Sequence, residues 1–590
     1  MKILLVAVNA KYIHSNLAVY SLKAYADRYK EQISIAEYTI NHMTEDILKG
    51  IYREDADVIA FSCYIWNIQI VTQVMKELKK VQPQAKIWLG GPEVSYDAKS
   101  FLSANPEVTG IMIGEGEQTF LELLECYVDQ SRELSQIKGL IFREETIENE
   151  FTSSDATIIS TEQREPLSLD TIPFPYETLE GFEHRIIYYE SSRGCPFSCS
   201  YCLSSVDRRV RLRNGELVKK ELQFFLDRKV PQVKFVDRTF NCNKKHSMDI
   251  LHYIKEHDNG ITNFHFEISA DILSEEEIDL LATLRPGQVQ LEIGVQSTNP
   301  DTITAIRRNM NFEKIKKNVR RIHRANNIHQ HLDLIAGLPN EDKATFYQSF
   351  NDVYALHPDQ LQLGFLKVLK GSPMEQESKE HGIITWNTPP YEVLSTKWIS
   401  FHDVLQLKGI CDMVEIYYNS HQFDYSIQFI EHFFPAPIKL YEALNDYYER
   451  ESLKQISHSR IRRYEILLEF YRDAVLSNGE DPNLISVMKE LLLFDCNLRD
   501  EPRSRVSFAE NSLKNTIARE FYERLRIEHK NTHLEKFSFD LLRSAEEGKP
   551  VRLDNIILFR YSVRDPLSKA STYNIFVEDA EGTWNERADS

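Results

Sequence analysis

Residues 185–202 read RIIYYESSRGCPFSCSYC: a strand pattern running straight into three cysteines, Cys195, Cys199 and Cys202, spaced C-x3-C-x2-C. The first half predicts a buried β-strand. The second half predicts a loop, because Gly194, Pro196 and Ser198 let the chain curl and leave backbone N–H groups free. A closed structural zinc site takes four ligands, commonly with a second C-x2-C or H-x3-H pair, and no such pair follows nearby. Three thiolates on one loop instead suit an iron–sulfur cluster with one iron left open.

Outward from this stretch, the alternation of strand and helix patterns sets the fold class. From residue 186 there are six strand candidates, RIIYYESSRG, QVKFVDRTF, FHFEISA, QVQLEIGVQS, QHLDLIAGLP and QLQLGFLKVL, separated by helical stretches such as GELVKKELQFFLD. They predict a central partial (β/α)6 barrel over residues 186–380, with its site at the C-terminal strand ends. Residues 1–130 carry an independent alternation, with KILLVAVN, ISIAEYTI, DVIAFSCY, KIWLGG and GIMIGEGE as strands. They predict an N-terminal doubly wound parallel sheet. Residues 131–185 are a proline-bearing connector, and residues 381–590 are mostly helical with a strand-like tail, NIILFRYSV. The aromatic residues of that last region fit a helical core or a lid. The fold class is α/β throughout the first two domains.

Composition narrows the functions. The chain has 590 residues and a formal charge of −19, which repels polyanions and argues against nucleic acid as partner. No run approaches the roughly 18 apolar residues of a membrane span. The opening MKILLVAVNAKYIHSN reads as a buried strand, not a secretory signal. Five of the eight cysteines are scattered singly, unlike a disulfide framework and consistent with a reducing, cytoplasmic setting. The basic runs DRRVRLR (207–213) and KIKKNVRRIHR (314–324) read as solvated helix faces or as charge beside a phosphate-bearing ligand.

The cysteine triplet with Tyr201 before its last member resembles the signature of the radical S-adenosylmethionine (SAM) enzymes. The resemblance implies a 4Fe–4S cluster on Cys195, Cys199 and Cys202, whose open iron binds SAM and whose electron cleaves it to a 5′-deoxyadenosyl radical. Later strands extend the likeness through VKFVDRTFN, FHFEISADIL, LEIGVQSTNPDTITAIRR and LDLIAGLPNED, the last with Asn340 where the family's GLPGE turn has glycine. It makes Tyr201, Asp237, Glu267, Ser269 and Gln296 the candidate SAM contacts.

The N-terminal sheet has no G-x-G-x-x-G after its first strand, so a dinucleotide fingerprint is missing. Its loops NAKYIHSN, SCYIWN, GGPEVS and GEGEQTF resemble those of the cobalamin-binding domain found ahead of many radical SAM barrels. The resemblance puts Asn9, His14, Ser62, Cys63, Trp66, Gly90, Gly91, Glu93, Gly114, Glu115, Gly116 and Glu117 at cobalamin. The D-x-H-x-x-G motif of corrinoid carriers is absent. His14 lies in the right loop without the flanking aspartate and glycine, and Tyr64 and Trp66 are placed to shape the lower cobalt face.

The expected function is that of a cytoplasmic, oxygen-sensitive radical enzyme using a 4Fe–4S cluster, SAM and cobalamin to transfer a methyl group to an unactivated carbon. The same parts could serve a cyclisation or rearrangement. A reading of another class is a non-catalytic corrinoid- or metal-binding sensor. Methylthiolation of tRNA would want a second cysteine triplet and a basic tail, and the sequence has neither. Expected partners are a small-molecule or natural-product substrate and an electron donor such as flavodoxin or ferredoxin.

Overall fold

Ile3–Asn9 is buried at every position, as expected of a strand covered on both faces of a parallel sheet. In the computed structural model, which describes residues 1–144, 157–475, 483–502, 505–509, 513–527, 529–579 and 583–587, this strand lies second from one edge of a seven-stranded sheet. The spatial order is Ile33–Thr39, Ile3–Asn9, Val58–Ser62, Lys86–Gly90, Gly110–Met112, Leu140–Arg143 and Ile158–Ser160. The first five strands are parallel. Alternate side chains feed two cores, Leu4, Val6, Phe61 and Leu89 on one face and Leu5, Ala60 and Trp88 on the other.

The five strands expected from the alternation are all present. The sheet does not stop with them. Leu140–Arg143 and Ile158–Ser160, inside the stretch expected to be a connector, add as antiparallel strands and cover the edge of Gly110–Met112, which would otherwise be left unpaired. Residues 145–156 of that stretch lie outside the described residues. The order 2-1-3-4-5 places the topological switch between Ile3–Asn9 and Val58–Ser62, where such sheets bind ligands beyond the C-terminal strand ends.

The central sheet has six parallel strands in sequential order: Ile187–Tyr189, Gln232–Phe235, Asn263–Ile268, Val289–Gln296, His329–Ala336 and Gln360–Phe365. These are the six predicted strands of a partial barrel. In Val289–Gln296 burial alternates strictly, with Val289, Leu291, Ile293 and Val295 buried. By the period-2 pleat, Gln290, Glu292, Gly294 and Gln296 face the other side, the barrel interior. Side-chain caps fix the intervening helices: Asn214 starts Gly215–Asp227, Asn243 starts Lys244–Glu256 and Asn311 starts Phe312–Arg324.

The C-terminal region is mostly helical, with Phe401–Tyr417, Asp424–Glu431, Pro437–Arg450, Arg460–Ala474 and Asn483–Arg499. It ends in a four-stranded antiparallel sheet, Thr532–Phe539, Arg552–Arg564, Ser571–Glu578 and Trp584–Glu586, of which the sequence pattern showed only the second strand. Its tyrosines answer the question of core or lid. Tyr417, Tyr441, Tyr448, Tyr464 and Tyr471 are all fully buried, in one continuous core with the outer layer of the barrel. Among the described residues no helix is long and apolar enough to cross a membrane.

Candidate functional site

The cysteine loop begins where the barrel's first strand ends. Ser192–Arg193 pairs antiparallel with Arg211–Leu212, so Cys195, Cys199 and Cys202 sit in a hairpin-like excursion held at its base. Gly194 has φ +98°, and a Cβ there would lie 2.2 Å from the Arg209 carbonyl oxygen; only glycine fits this turn. Cys195 and Cys199 are buried and Cys202 half-buried, all as free thiols. Ser200 N–H donates to the Ile306 carbonyl (2.9 Å), and Met374 N–H donates to the Ser200 carbonyl (2.8 Å), fastening the loop to the far side of the barrel mouth.

Arg308 is the residue that sequence reasoning missed here. Its Nη1 lies 3.7 Å from Cys199 Sγ and 3.2 Å from the Tyr201 hydroxyl, and its Nη2 donates to the Gly294 carbonyl. Burial pushes the Cys199 thiol up, and the Arg308 guanidinium opposes that shift. A loop with three thiols and one half-buried cation fits an anionic thiolate cluster. Three thiolates on one loop can each bind a separate iron of a cluster.

Of the candidate SAM residues, Gln296 fits best. It holds φ +72° at a register shift in its strand, an uncommon backbone for glutamine that marks a constrained site. Its Oε1 is buried with no hydrogen-bond partner. Glu267 faces the barrel interior, where burial first and then Glu292 push its pKa up to about 7.

Three other candidates have different work. Asp237 is fully buried: Oδ1 accepts from Ser191 N–H (2.8 Å), and Oδ2 from the Ser191 and Ser192 hydroxyls (both 2.6 Å). With three donors on it, Asp237 anchors the segment entering the cysteine loop. Ser269 donates to Asp271 (2.8 Å), and its N–H bonds Asn241 (3.0 Å), so it orders a turn. The Tyr201 ring packs against Ile306, Leu338, Leu366 and Met374.

Below Glu267 the interior is strongly polar. Glu292 accepts from Lys234 Nζ (3.0 Å) and lies 3.0 Å from His265 Nε2, while His331 and Asp333 stand 2.9 Å apart. Lys234, Glu292 and Asp333 keep side-chain exposures of 24%, 22% and 17%, so the interior is not filled by side chains alone.

The cobalamin-type loops of the first sheet face this barrel. The backbone of Ile13–Ser15 runs beside Ile186, with an Ile186 N–H to Ile13 carbonyl bond of 2.7 Å, closing the open edge of the first barrel strand. His14 Nδ1 sits 2.7 Å from the Tyr188 hydroxyl. That contact holds the Nδ1 side of the ring toward the barrel. Asn9 is likewise internal, bonded to Glu37 (2.9 Å) and the His14 carbonyl (3.1 Å). Cys63 is fully buried. Gly91 packs on it so tightly that a Cβ would meet the Cys63 carbonyl oxygen at 2.4 Å, so this close chain-to-chain approach requires glycine.

Glu93 is buried and bonded to Tyr391 and Lys370, a clamp between the two domains. Glu115 and Glu117 likewise bind Arg211 and Arg193, at the base of the cysteine loop. What these loops still offer to a ligand is narrower. Gly114, at φ +79°, has open space where a side chain would be, whereas Gly116 abuts Leu22. Gly90 and Ser62 end their strands, with Ser62 Oγ taking the Asn16 amide (3.0 Å). Trp66 is 42% exposed, stacked on Tyr64 at 4.4 Å between ring centroids and held by Nε1 to the Val8 carbonyl (3.1 Å).

The basic runs are resolved as well. In the first, Arg211 and Arg213 are paired with Glu115 and Glu221. The second is the helix Phe312–Arg324, with Lys317 and Arg321 paired to Glu275 and Asp279 at its solvent face.

A ligand-binding doubly wound sheet whose C-terminal edge meets a partial barrel carrying a three-cysteine loop defines a two-cofactor α/β protein. Comparison with known proteins agrees. The family described as B12 binding domain matches residues 3–124, the Radical SAM superfamily residues 189–353, and a family described as Protein of unknown function (DUF4080) residues 379–559. The chain thus carries a B12-binding domain followed by a radical SAM domain. The cobalamin-dependent radical SAM methyltransferase TokK of Streptomyces tokunonensis is 27% identical over 356 residues, covering 56% of this chain and 50% of that protein. The anaerobic magnesium-protoporphyrin IX monomethyl ester cyclase of Rubrivivax gelatinosus is 22% identical, covering 54% and 59%. The chain thus spans about half the length of the curated relatives it matches. The solved structure of the cobalamin-dependent SAM radical enzyme OxsB, with aqua-cobalamin and SAM bound, superposes with TM-score 0.57 at 14% identity over 83% of each chain, which is a likeness of fold.

Proposed function

We propose that this protein is a cobalamin-dependent radical SAM enzyme that transfers a methyl group to an unactivated carbon of a small molecule. The observation that carries this reading is the facing of the two sites: the cysteine loop at the end of Ile187–Tyr189 and the C-terminal strand edge of the first sheet are fastened together by Glu115 and Glu117, while Glu93 ties the same edge to Lys370. When bound, the cluster would supply the electron that cleaves SAM to a carbon radical, and cobalamin the methyl group.

The chain's own residues do the rest. Cys195, Cys199 and Cys202 would hold the cluster, and Arg308 offsets its negative charge. Gln296 presents a buried carbonyl oxygen free to accept a hydrogen bond from SAM. Gly114 leaves room for cobalamin against the backbone, and the Tyr64–Trp66 stack offers a flat apolar face. Lys234, His265, Glu267, Glu292, His331 and Asp333 line an interior suited to a polar, hydrogen-bonding substrate group.

The test is anaerobic reconstitution with iron, sulfide and hydroxocobalamin, followed by SAM and a reductant. The expected result is 5′-deoxyadenosine, lost together with bound iron in Cys195→Ala, Cys199→Ala and Cys202→Ala. Failure to bind iron and sulfide overturns the reading. S-adenosylhomocysteine alongside deoxyadenosine supports methyl transfer. Deoxyadenosine alone supports the cyclisation reading, which the likeness to the Rubrivivax cyclase favours.

A further inference from the structure

We infer that Arg193 is a positioning residue that ties the cysteine loop to the acidic loop of the cobalamin domain, so that the two cofactors bind cooperatively. This rests on the two-cofactor reading above. Arg193 lies two positions before Cys195. Its Nη2 donates to Glu117 Oε1 (2.8 Å) and Glu190 Oε2 (2.7 Å), its Nε to Glu190 Oε1 (3.0 Å), and its Nη1 lies 3.4 Å from Glu115 Oε2. Across the two-residue pairing, Arg211 stands opposite Arg193 and donates to both Glu115 oxygens and, at 2.6 Å, to the Leu167 carbonyl. One acidic loop, Gly114–Glu117, therefore grips both legs of the hairpin from which the cysteine triplet projects.

That loop has two sides. Its carboxylates turn to the arginines, with the Glu117 side chain only 7% exposed. Its glycine at 114 keeps a left-handed backbone with open space above it, at the C-terminal strand edge where sheets of this order take ligands. A cofactor resting on Gly114 fixes the loop, and with it the two guanidinium groups that set the base of the cysteine loop. Filling the cysteine loop fixes the same contacts from the other side.

A half-buried network of three carboxylates and two guanidiniums adds little net stability, since desolvation and solvent screening offset most of its attraction. It is well suited to defining one relative position of two segments. Coupling through such a network is reciprocal, and a typical value changes affinity about five-fold or more.

The experiment titrates hydroxocobalamin into cluster-free and anaerobically reconstituted protein and takes the ratio of the two dissociation constants. The expected ratio in the wild type is about five or more in favour of the reconstituted protein. In Glu117→Gln and Arg193→Gln it falls toward one, and in Arg193→Lys it is partly restored. A merely structural role would weaken both constants equally and leave the ratio unchanged. A wild-type ratio of one, or a ratio that survives in both Gln variants, overturns the coupling alone. Failure of the wild type to bind cobalamin or iron at all overturns the functional reading as well.

Discussion

The Arg308 guanidinium lies 3.7 Å from the Cys199 sulfur, at the end of a half-buried side chain that is also bonded to the Gly294 carbonyl. Charge beside a cluster shifts its potential, because the reduced form carries one more negative charge and gains more from a nearby cation. Arg308→Gln keeps a donor near the sulfur and removes the charge. The expected result is a midpoint potential lower by tens of millivolts in an EPR-monitored titration, with the iron content of the wild type. An unchanged potential would place Arg308 outside the field of the cluster.

Asp237 and Gln296 should separate cleanly. Asp237 meets three donors from Ser191 and Ser192 in a fully buried pocket, where burial pushes its pKa up to about 6. Removing it leaves those donors unsatisfied, at a cost of about 2–4 kcal/mol. Asp237→Ala should therefore lower the melting temperature of the protein and leave the SAM affinity of the folded fraction unchanged. Gln296→Ala, which removes an oxygen with no partner in the protein, should do the opposite. The measurements are thermal melts and equilibrium SAM binding to reconstituted protein.

How far the sequence carried the reading follows from the range of each signal. Strand alternation is local, so all six barrel strands and the first five strands of the N-terminal sheet were legible. Leu140–Arg143 and Ile158–Ser160 were not assigned to that sheet, because each is short and owes its place to the open edge of Gly110–Met112. The cysteine triplet was legible because its ligands are adjacent in sequence. Arg308 lies more than 100 residues from Cys199, and no local pattern connects them. Glu93, Glu115 and Glu117 were expected at cobalamin, and their pairing with Lys370, Arg211 and Arg193 was not legible, because a carboxylate in a loop looks the same whether it faces a cofactor or a cation elsewhere in the chain.

His14 gives a spectroscopic prediction. With Nδ1 at 2.7 Å from the Tyr188 hydroxyl and its backbone beside Ile186, it closes the edge of the first barrel strand. The cob(II)alamin EPR spectrum should lack nitrogen superhyperfine splitting from a protein imidazole and should be the same in His14→Ala. Nitrogen splitting that disappears in the variant would return His14 to cobalt.

Glu267 supplies a pH dependence whose sign can be worked out. Burial raises its pKa to about 7, with Glu292 and Asp333 adding to the shift and Arg238 and Lys234 opposing it. An unfolded glutamate titrates near its ordinary value, so between the two values the native protein holds a proton that the unfolded chain has lost. Stability therefore falls as pH rises through this window, and the favourable contribution of Glu267 is complete only below the unfolded value. Glu267→Gln removes the titration and keeps the shape. The melting temperature of the variant relative to wild type should accordingly climb between pH 5 and pH 7.5, a window about that expected from the shift, and then level off. A constant difference across that range would mean that Glu267 is already ionised at pH 5, with a cation close enough to compensate it.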